Sequence, residues 1–427
     1  MGIGMRTLAL VFWGMAALPA AAEVYSVAPG PEAEAALQEA LILAQPGDEV
    51  VMAAGRYEIA NQLSLASDEV TLRGAGMGAT ILSFKGQTGG AEGLLVTGNG
   101  AVLKDFAVED TKGDAIKAKG VDGFAVIRVR AEWTTGPRPE NGAYGIYPVQ
   151  STNVLLDGVV VKGASDAGIY VGQSQKIIVR NSRAEYNVAG LEIENCYFAD
   201  VTGNVLTNNT GGILVFDLPD LPQQGGHDIR VFRNQSFANN TKNFAPEGNI
   251  VGLVPAGTGM LVMANADVEI FENDFHDNRS VGLAIISYVN ETEDENYDTG
   301  PRRIHVHNNR FAANGLEPDD SDFGGLLREL FGDRVPQIVW DGVMPVWRYL
   351  TIGQAADREN AIHDNDFGQE VPYGNADFVG YFGLTWIHGV SFDISEHSAK
   401  LEPLAPVQVI IRGRDVSHEG AWAEIAK

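Results

Sequence analysis

The chain has 427 residues, of which 50 are glycine, well above the average share of about 7%. Hydrophobic residues make up 45%, enough for a large core in one all-β domain or in two or three smaller domains. Acidic side chains outnumber basic ones by 56 to 30, for a formal net charge of −26. Such a surface repels phosphate backbones and anionic lipids, so we expect neither nucleic acid nor an anionic membrane as a partner. The single cysteine, Cys196, excludes an intramolecular disulfide.

The first 22 residues have the pattern of a secretory signal peptide. Arg6 is followed by a largely apolar run from Thr7 to Leu18, and three alanines precede Glu23. The apolar run is too short to span a bilayer, and no cysteine follows it that would carry a lipid anchor. We therefore predict cleavage after residue 22 and a periplasmic or extracellular protein without a membrane span.

Short strand-like runs that begin at glycine recur at a nearly fixed interval. Gly168, Gly190 and Gly212 are 22 residues apart, and each begins a run of alternating apolar residues. Runs of the same kind begin at Gly93, Ala115, Gly145, Gly259 and Gly282. An alternation with period two is typical of strands that bury one face.

A second set of alternating strands lies between these runs, and most of its members are followed by Asn and then Phe. The pairs are Asn234 with Phe237, Asn273 with Phe275, Asn309 with Phe311 and Asn365 with Phe367. Asn at a fixed turn position can stack on the Asn of the next coil and satisfy buried turn amides. We therefore predict that these Asn side chains are structural.

Repeats of 22 or 23 residues with two or three short strands each predict the coils of a right-handed parallel β-helix. Leucine-rich repeats have a similar period but need an L-x-x-L-x-L pattern that this chain lacks. We predict an all-β, single-stranded helix over residues 23–375, with a helix at 31–44 covering the first coil. A short helix at 323–331 interrupts the repeat, and residues 376–427 form an irregular cap over the open end.

Two stretches resemble known families. The segment from Pro46 to Gly76, PGDEVVMAAGRY…LSLASDEVTLRGAG, is similar to the opening of pectate-lyase-like β-helix proteins. The blocks GASDAGIYVGQS (163–174), NVAGLEIEN (187–195) and NTGGILVFDLP (209–219) resemble a bacterial family of exported parallel β-helix repeat proteins. The resemblance implies the fold and export, leaves the activity open, and suggests an exported cytochrome-c-like protein as a partner.

Stacking of the coils predicts a groove on the face of the glycine-led strands. One outward column holds Lys117, Tyr147, Tyr170, Glu192 and Leu214, and its neighbour holds Gly172, Glu194 and Phe216, with Asp217 just beyond. Tyrosine rings suit sugars, and Lys, Tyr and Glu are acid–base groups. Glu192 and Glu194 are about 7 Å apart along the strand, within the range of roughly 6.5–9.5 Å that inverting glycosidases use.

We therefore predict glycan binding, with Tyr147, Tyr170, Glu192 and Glu194 as candidate catalytic groups. Lys117, Asp217 and Phe216 are the candidate substrate contacts. An enzyme with this site would belong to the polysaccharide lyases, epimerases or glycoside hydrolases. The alternatives are a solvated sheet face, and a non-catalytic scaffold that docks a protein such as a c-type cytochrome or assists metal handling.

Histidines form a second candidate site. His305 and His307 share a strand face, and the repeat places Glu269 beside His305 and His363 beside His307. Three imidazoles and a carboxylate suit Zn²⁺ or Cu²⁺, although a polar sheet face has the same pattern. The acidic loops 291–295 and 319–322 are candidates for Ca²⁺ or are solvated loops, because neither has the spacing of an EF-hand.

Overall fold

The computed structural model describes residues 22–288, 292–344, 348, 350, 354–355, 357–378 and 389–425. Three long parallel sheets run along the described chain, because strands from successive coils pair side by side. The predicted signal peptide, apart from residue 22, lies outside the described residues. No helix among the described residues is long and apolar enough to cross a membrane.

Successive strands along the chain belong to the three sheets in rotation. The 12-stranded sheet contains Val24–Val27, Glu49–Met52, Thr71–Arg73, Ala101–Lys104, Asp122–Ile127, Thr152–Asp157, Gln175–Arg180, Tyr197–Thr202, His227–Phe232, Ala266–Phe271, Arg302–His307 and Ala361–His363. The 11-stranded sheet contains Leu63–Leu65, Leu94–Val96, Ile116–Lys119, Tyr144–Val149, Ala167–Gly172, Ala189–Glu194, Gly211–Phe216, Thr258–Met263, Val281–Ile286, Ile338–Trp340 and Tyr373–Asn375. The 10-stranded sheet contains Gly55–Glu58, Thr80–Ser83, Ala107–Glu109, Arg130–Glu132, Val160–Lys162, Arg183–Glu185, Val205–Thr207, Gln235–Phe237, Asp274–His276 and Arg310–Ala312.

A few elements lie outside these sheets. Two α-helices have bounds within the described residues, α1 (Ala33–Leu43) and α2 (Asp322–Phe331), and short 3₁₀ turns occur at Ile250–Leu253, Ile394–His397 and Ala421–Glu424. A small antiparallel pair joins Ile410–Ile411 to Arg414–Asp415. The predicted helices at 31–44 and 323–331 are therefore present in the structure.

The sheets pair in the register that the repeat predicts. Ile169 lies beside Leu191, Leu191 beside Ile213, and Ile213 beside Met260. All four side chains are fully buried in one continuous core that runs through the coils. Because alternate residues point inward, the residues between them lie on the outer faces.

Two columns of stacked asparagines hold the turns between sheets. In the first, Asn234 accepts hydrogen bonds from the backbone N–H (2.9 Å) and Nδ2 (3.0 Å) of Asn204, and its own Nδ2 donates to Asn273 (2.9 Å). The column is Asn204, Asn234, Asn273, Asn309 and Asn365, and a second one contains Asn187, Asn209, Asn239, Asn278 and Asn314. The first column contains each Asn of the predicted Asn–Phe pairs.

Helix α1 protects the open edge of the first coil. The Gln38 side chain accepts from the Ser64 N–H (2.9 Å) and donates to the Ser64 carbonyl (3.1 Å). Glu34 accepts from the N–H groups of Ala60 (2.9 Å) and Asn61 (3.0 Å). These bonds satisfy backbone groups that would otherwise offer a template for further strand pairing.

The C-terminal segment divides into two parts. His397 is buried against the last coil, where its Nε2 is 2.8 Å from the Tyr373 hydroxyl. Residues 401–425, here called the C-terminal strap, instead run back along the outside of the 12-stranded sheet. The expectation that all of 376–427 covers the open end is therefore wrong for the strap, whereas the predicted boundary at residue 376 stays a prediction.

The strap follows the sheet from late coils to early ones. The backbone N–H groups of Leu404, Val407 and Ile410 donate in turn to Glu269, Asp200 and Asn153. Strap residues Val407, Val409, Ile411, Val416 and Ile425 pack on Val102, Ala125, Ile127, Leu155 and Ile178 of the sheet. These apolar residues on the outer sheet face explain why the strap packs there, because without it they would be exposed to water.

We predict that Asn234→Ala lowers the free energy of unfolding by about 2–4 kcal/mol, because it leaves several buried backbone and amide groups without partners. The matched control is Asn240→Ala. Asn240 also donates to a carbonyl, that of Asp277, and accepts from an N–H, that of Arg279, but it is exposed and water replaces both bonds. Urea denaturation measures both variants, and equal losses would contradict a structural role for the column.

We also predict that Arg180→Leu releases the strap. The buried Arg180 guanidinium donates to Asp157 (2.8 Å) and to the strap carbonyls of Ser417 (2.7 Å) and His418 (3.0 Å). Its loss leaves the Asp157 carboxylate buried without its cation, which costs about 3–5 kcal/mol. The control Arg183→Leu removes an exposed guanidinium from Glu185, which keeps Lys162 as a second cation at 2.6 Å, so its cost should be about 1 kcal/mol. Limited proteolysis should cut within 401–425 in Arg180→Leu alone, and an equally protected strap would refute the assignment.

Candidate functional site

The predicted groove residues lie together on the outer face of the 11-stranded sheet. Strand pairing places Lys117 beside Tyr147, Tyr170 beside Glu192, and Glu194 beside Phe216. This adjacency follows from the constant period of the coils, which keeps equivalent positions in register.

Three tyrosines pack against one another on this face. The Tyr170 ring centroid lies 4.4 Å from that of Tyr144 and 4.9 Å from that of Tyr147. Tyr144 was missed from the sequence because it lies three residues before Tyr147 in the same strand, and an alternation with period two would place the two rings on opposite faces. Tyr144 and Tyr147 are half-buried and border solvent, whereas Tyr170 is buried.

Two carboxyl groups form a contact pair beneath the tyrosines. Glu192 and Glu194 are within hydrogen-bonding range of each other, and the Tyr170 hydroxyl donates to Glu194 Oε1 at 2.6 Å. The expected separation of about 7 Å is therefore wrong for the carboxyl groups, because both flexible side chains lean together from strand positions two residues apart. Two carboxyls in contact share a proton rather than ionise together.

Burial dominates the electrostatics of this pair. Burial, followed by the charges of Asp166 and Glu194, raises the pKa of Glu192 well above its usual value. Burial also raises the pKa of Glu194, although the Tyr170 hydrogen bond acts in the opposite direction. Glu192 Oε2 has no hydrogen-bond partner. Both carboxyl groups therefore favour the protonated form more than an exposed glutamate does.

Asp166 is a third acid of the same face, and it was not predicted because it precedes the strand Ala167–Gly172. Its Oδ2 accepts from the Tyr144 hydroxyl (3.4 Å) and from Asn249 Nδ2 (3.2 Å). Burial and the Glu194 charge raise the pKa of Asp166 to about 7. We call Tyr144, Tyr147, Asp166, Tyr170, Glu192 and Glu194 the acid–tyrosine cluster.

Lys117 lies at the end of this cluster that is nearest the N-terminus. Its ammonium lies 3.1 Å from Glu92, 3.4 Å from Asp114 and 4.8 Å from the centre of the Tyr147 ring. Two carboxylates therefore already neutralise the lysine that was predicted to contact substrate. Its remaining role is to hold the Tyr147 ring from one side.

Phe216 and Asp217 lie at the other end of the cluster, in the coil that follows Glu194. Asp217 is buried and accepts from the N–H groups of Gly225 (3.1 Å) and Gly226 (2.8 Å), which closes the loop that follows it. Burial raises the pKa of Asp217 to about 6. Its two oxygens are thus used within the loop, which favours a structural role over the predicted substrate contact.

Phe216 leads from the cluster into a cavity of about 520 Å³ on the same face. Aromatic side chains of Phe216, Tyr288, Phe323 and Phe378 line it. Its polar lining includes the buried carboxyl of Asp341, whose pKa burial raises to about 6, and the hydroxyl of Ser287, which has no partner. The sequence did not reveal this cavity, because its walls come from a loop, α2 and the C-terminal part.

The predicted histidine site also lies together, on the outer face of the 12-stranded sheet. His307 Nε2 is 3.1 Å from Glu269 Oε1, and His305 Nε2 is 2.9 Å from His363 Nε2. Glu269, His305 and His307 offer three ligand atoms within 4.8 Å of one another. We call these three residues and His363 the histidine cluster.

The other candidate sites have simpler accounts in the structure. Asp319 accepts from the Ala256 N–H (2.8 Å) and the Ser321 hydroxyl (2.5 Å), so the predicted calcium loop at 319–322 organises the start of α2. Part of the loop 291–295 lies outside the described residues. Cys196 is fully buried in the core, as expected of a small structural residue.

Comparison with known proteins identifies the fold that carries these sites. A family model described as "Right handed beta helix region" matches residues 70–220, about a third of the chain. The chain has the pectate-lyase-like right-handed parallel β-helix fold. None of the curated protein sequences matches it.

Solved β-helix structures resemble this one at low sequence identity. The A-module of mannuronan C-5 epimerase AlgE4 from Azotobacter vinelandii is 15% identical, with a TM-score of 0.53 over 80% of this chain and 92% of that one. The catalytic unit of the GH87 α-1,3-glucanase from Streptomyces thermodiastaticus strain HF3-3 is 15% identical, with a TM-score of 0.52 over 83% of this chain and 56% of that one. At such identity the likeness shows the fold alone.

The raised pKa of Asp166 predicts a pH dependence of stability for this β-helix. The folded protein retains the Asp166 proton up to about pH 7, whereas an unfolded chain releases it near pH 4. This contribution to stability therefore falls as the pH rises from about 4 to 7.

Between pH 5 and pH 8 we expect the free energy of unfolding of the wild type to fall by about 1–3 kcal/mol more than that of Asp166→Asn. Denaturation at both pH values measures this difference. The control is Asp320→Asn, at an exposed side chain, and identical losses in the wild type and Asp166→Asn would contradict the assignment.

Proposed function

We propose that this protein binds a neutral glycan along the outer face of the 11-stranded sheet, with the acid–tyrosine cluster as the site of glycan processing. The observation that carries the proposal is the buried Glu192–Glu194 pair, in which Glu194 accepts a hydrogen bond from the Tyr170 hydroxyl and burial raises both pKa values. Burying two carboxyls in contact is unfavourable for stability. Such groups with raised pKa values concentrate at functional sites.

The aromatic surroundings of the pair support a sugar ligand. Tyr144 and Tyr147 present half-buried rings at the solvent edge, and Phe216 continues the aromatic surface into the cavity of about 520 Å³. Ring faces suit the C–H surface of a sugar, and phenol hydroxyls suit its polar groups. The cavity volume is within the usual range of about 300–1,000 Å³ for small-ligand sites.

The charges of the face favour a neutral glycan over a polyuronate. Lys117, the cation of the groove, is already paired with Glu92 and Asp114. The neighbouring acids Asp166, Glu192 and Glu194 would repel the carboxylates of a uronate chain whenever they are ionised. The epimerase with this fold is named for mannuronan and the glucanase for α-1,3-glucan. By charge, a substrate of the second kind suits this groove better.

Asn249 positions a loop over the cluster. Its side chain reaches Asp166 from the segment between the 10-stranded sheet and the strand Thr258–Met263. In our proposal the glycan displaces this contact to reach the carboxyl pair, and Tyr170 and Glu194 then exchange the proton with a glycan oxygen. The predicted export signal fits a protein that meets its glycan outside the cytoplasm, and we propose that location.

The test is calorimetric titration with neutral gluco-oligosaccharides and with uronate oligosaccharides of equal length. We expect the wild type to bind the neutral set, and Tyr147→Ala to weaken binding at least tenfold because the solvent-edge ring is lost. The matched control is Tyr186→Ala, at a tyrosine that is 44% exposed and lies outside the cluster, in the turn before the strand Ala189–Glu194. Its affinity should stay within about twofold.

Glu194→Gln separates binding from processing. The amide keeps the size of the side chain but cannot hold the shared proton, so we expect retained binding and loss of any product detected by chromatography. Binding of the uronates alone would contradict the neutral-glycan assignment. Absence of binding to either set, or equal weakening by Tyr147→Ala and Tyr186→Ala, would overturn the proposal.

A further inference from the structure

The histidine cluster brings side chains from three successive strands of the 12-stranded sheet together. Glu269 pairs with His305, and His307 pairs with His363. His307 Nε2 lies 3.1 Å from Glu269 Oε1, and His305 Nδ1 lies 4.0 Å from the same oxygen. His305 Nε2 lies 2.9 Å from His363 Nε2. Two ligands of one tetrahedral zinc ion, each at about 2.0–2.1 Å, are roughly 3.3 Å apart, so the separations of His307 Nε2 and His305 Nδ1 from Glu269 Oε1 are close to those that an ion needs.

Neighbouring side chains fix the tautomers of two of the imidazoles. His307 Nδ1 lies 2.7 Å from Asn308 Oδ1, and His363 Nδ1 lies 2.9 Å from an Asp364 carboxylate oxygen. Both oxygens are acceptors, so the Nδ1 atoms donate, and in the neutral ring each Nε2 keeps its lone pair. Both Nε2 atoms point into the cluster. Outer partners fix the tautomer of metal-bound histidines in the same way.

The cluster has more acceptors than it has protons to satisfy them. The lone pair of His307 Nε2 faces a carboxylate oxygen of Glu269, and both of these atoms are acceptors when the ring is neutral. His305 is buried, and its Nδ1 has no hydrogen-bond partner although it faces the same carboxylate. An unsatisfied buried acceptor is costly. A cation among these atoms would satisfy all of them at once.

We propose that Glu269, His305 and His307 bind one divalent transition-metal ion, Zn²⁺ or Cu²⁺, and that His363 is the outer partner of His305, because it contacts the His305 nitrogen that faces away from Glu269. Imidazole nitrogens favour these ions, whereas Ca²⁺ and Mg²⁺ need a shell of oxygens. The neighbouring cation does not block the site. Arg230, which pairs with Glu269 on the preceding strand, interacts with Asp200 at 3.4 Å and stacks over Phe232.

The C-terminal strap forms the roof of this site. Glu269 uses its second oxygen, Oε2, to accept from the Leu404 N–H (3.0 Å). A cavity of about 10 Å³ lies between Glu269, His305 and the strap residues Leu401 and Leu404, roughly the size that one water or ion needs. His363 also borders a larger cavity of about 500 Å³, which gives an ion a route from solvent. Because Glu269 contacts both the ion and the strap, bound metal should hold the strap more firmly.

The test is titration of the chelator-treated protein with ZnCl₂ and CuCl₂ by calorimetry. We expect one ion per chain, and His307→Gln to weaken binding at least about 100-fold, more than the 10–100-fold cost of removing an outer partner. The matched control is His276→Gln. His276 also bonds the next residue through Nδ1, to Asp277 at 2.7 Å, and its ring stacks on Phe237. It lies outside the cluster, so its affinity for metal should be unchanged.

A second variant and a second readout keep the test independent of folding. His363 is a partly exposed outer partner of His305, so His363→Gln should fold normally by circular dichroism and bind metal about 10–100-fold more weakly. In the Cu²⁺ complex, electron paramagnetic resonance should show one coordinated nitrogen fewer in His307→Gln than in the wild type, and the same number in His363→Gln. Bound metal should also slow proteolysis of residues 401–425. Absence of stoichiometric binding, or binding that both cluster variants leave intact, would overturn the proposal, whereas glycan binding tests a different face of the molecule.

Discussion

The rest of this structure depends on how each coil turns a corner. The residue before every asparagine of the two columns has a positive φ, from Tyr186 at 62° and Asn208 at 58° to Arg233 at 55° and Asp364 at 53°. A residue other than glycine in this left-handed region costs about 1–2 kcal/mol. The asparagine that follows offsets the strain, because its amide bonds the turn of one coil and the asparagine of the next. The strain and its compensation therefore repeat together, and the coils keep one period.

A constant period turns sequence spacing into spatial adjacency, and this explains which parts of the site could be predicted. The columns from Lys117 to Glu192 and from Glu269 to His363 needed only the repeat and the period of two within strands, and both columns are present. What lies outside the repeat could not be read in the same way. Asp166 precedes its strand, Asn249 comes from a loop, and the strap has no period, so their positions depend on tertiary packing alone. The predicted distance between the Glu192 and Glu194 carboxyl groups was wrong for another reason, since strand geometry fixes the positions of Cα atoms and not those of the ends of flexible side chains.

The strap shows why an outward face cannot be interpreted from one strand alone. Ala125, Leu155 and Ile178 point outward from the 12-stranded sheet, where alternation predicts solvent. Their apolar character makes sense only once a separate segment covers them. The same segment then covers Glu269 and His305 in later coils, so that polar outward residues become buried as well. Glu269 and His305 are therefore buried by the same strap that apolar residues several coils away hold against the sheet.

The same turn that fixes the period also prepares the histidine cluster. Asn308 (φ 55°) and Asp364 (φ 53°) are the left-handed residues of their coils, and each accepts from the Nδ1 of the histidine just before it. A residue in this conformation directs its short polar side chain back toward its own strand end. A histidine at the last position of such a strand is therefore held by Nδ1, with Nε2 free to point along the outer face. When two successive coils carry this His–Asn or His–Asp pair, as at His307 and His363, the rings stack with centroids 5.5 Å apart because the strands are in register. The corner that keeps the period of the coils therefore also fixes the tautomers of both histidines.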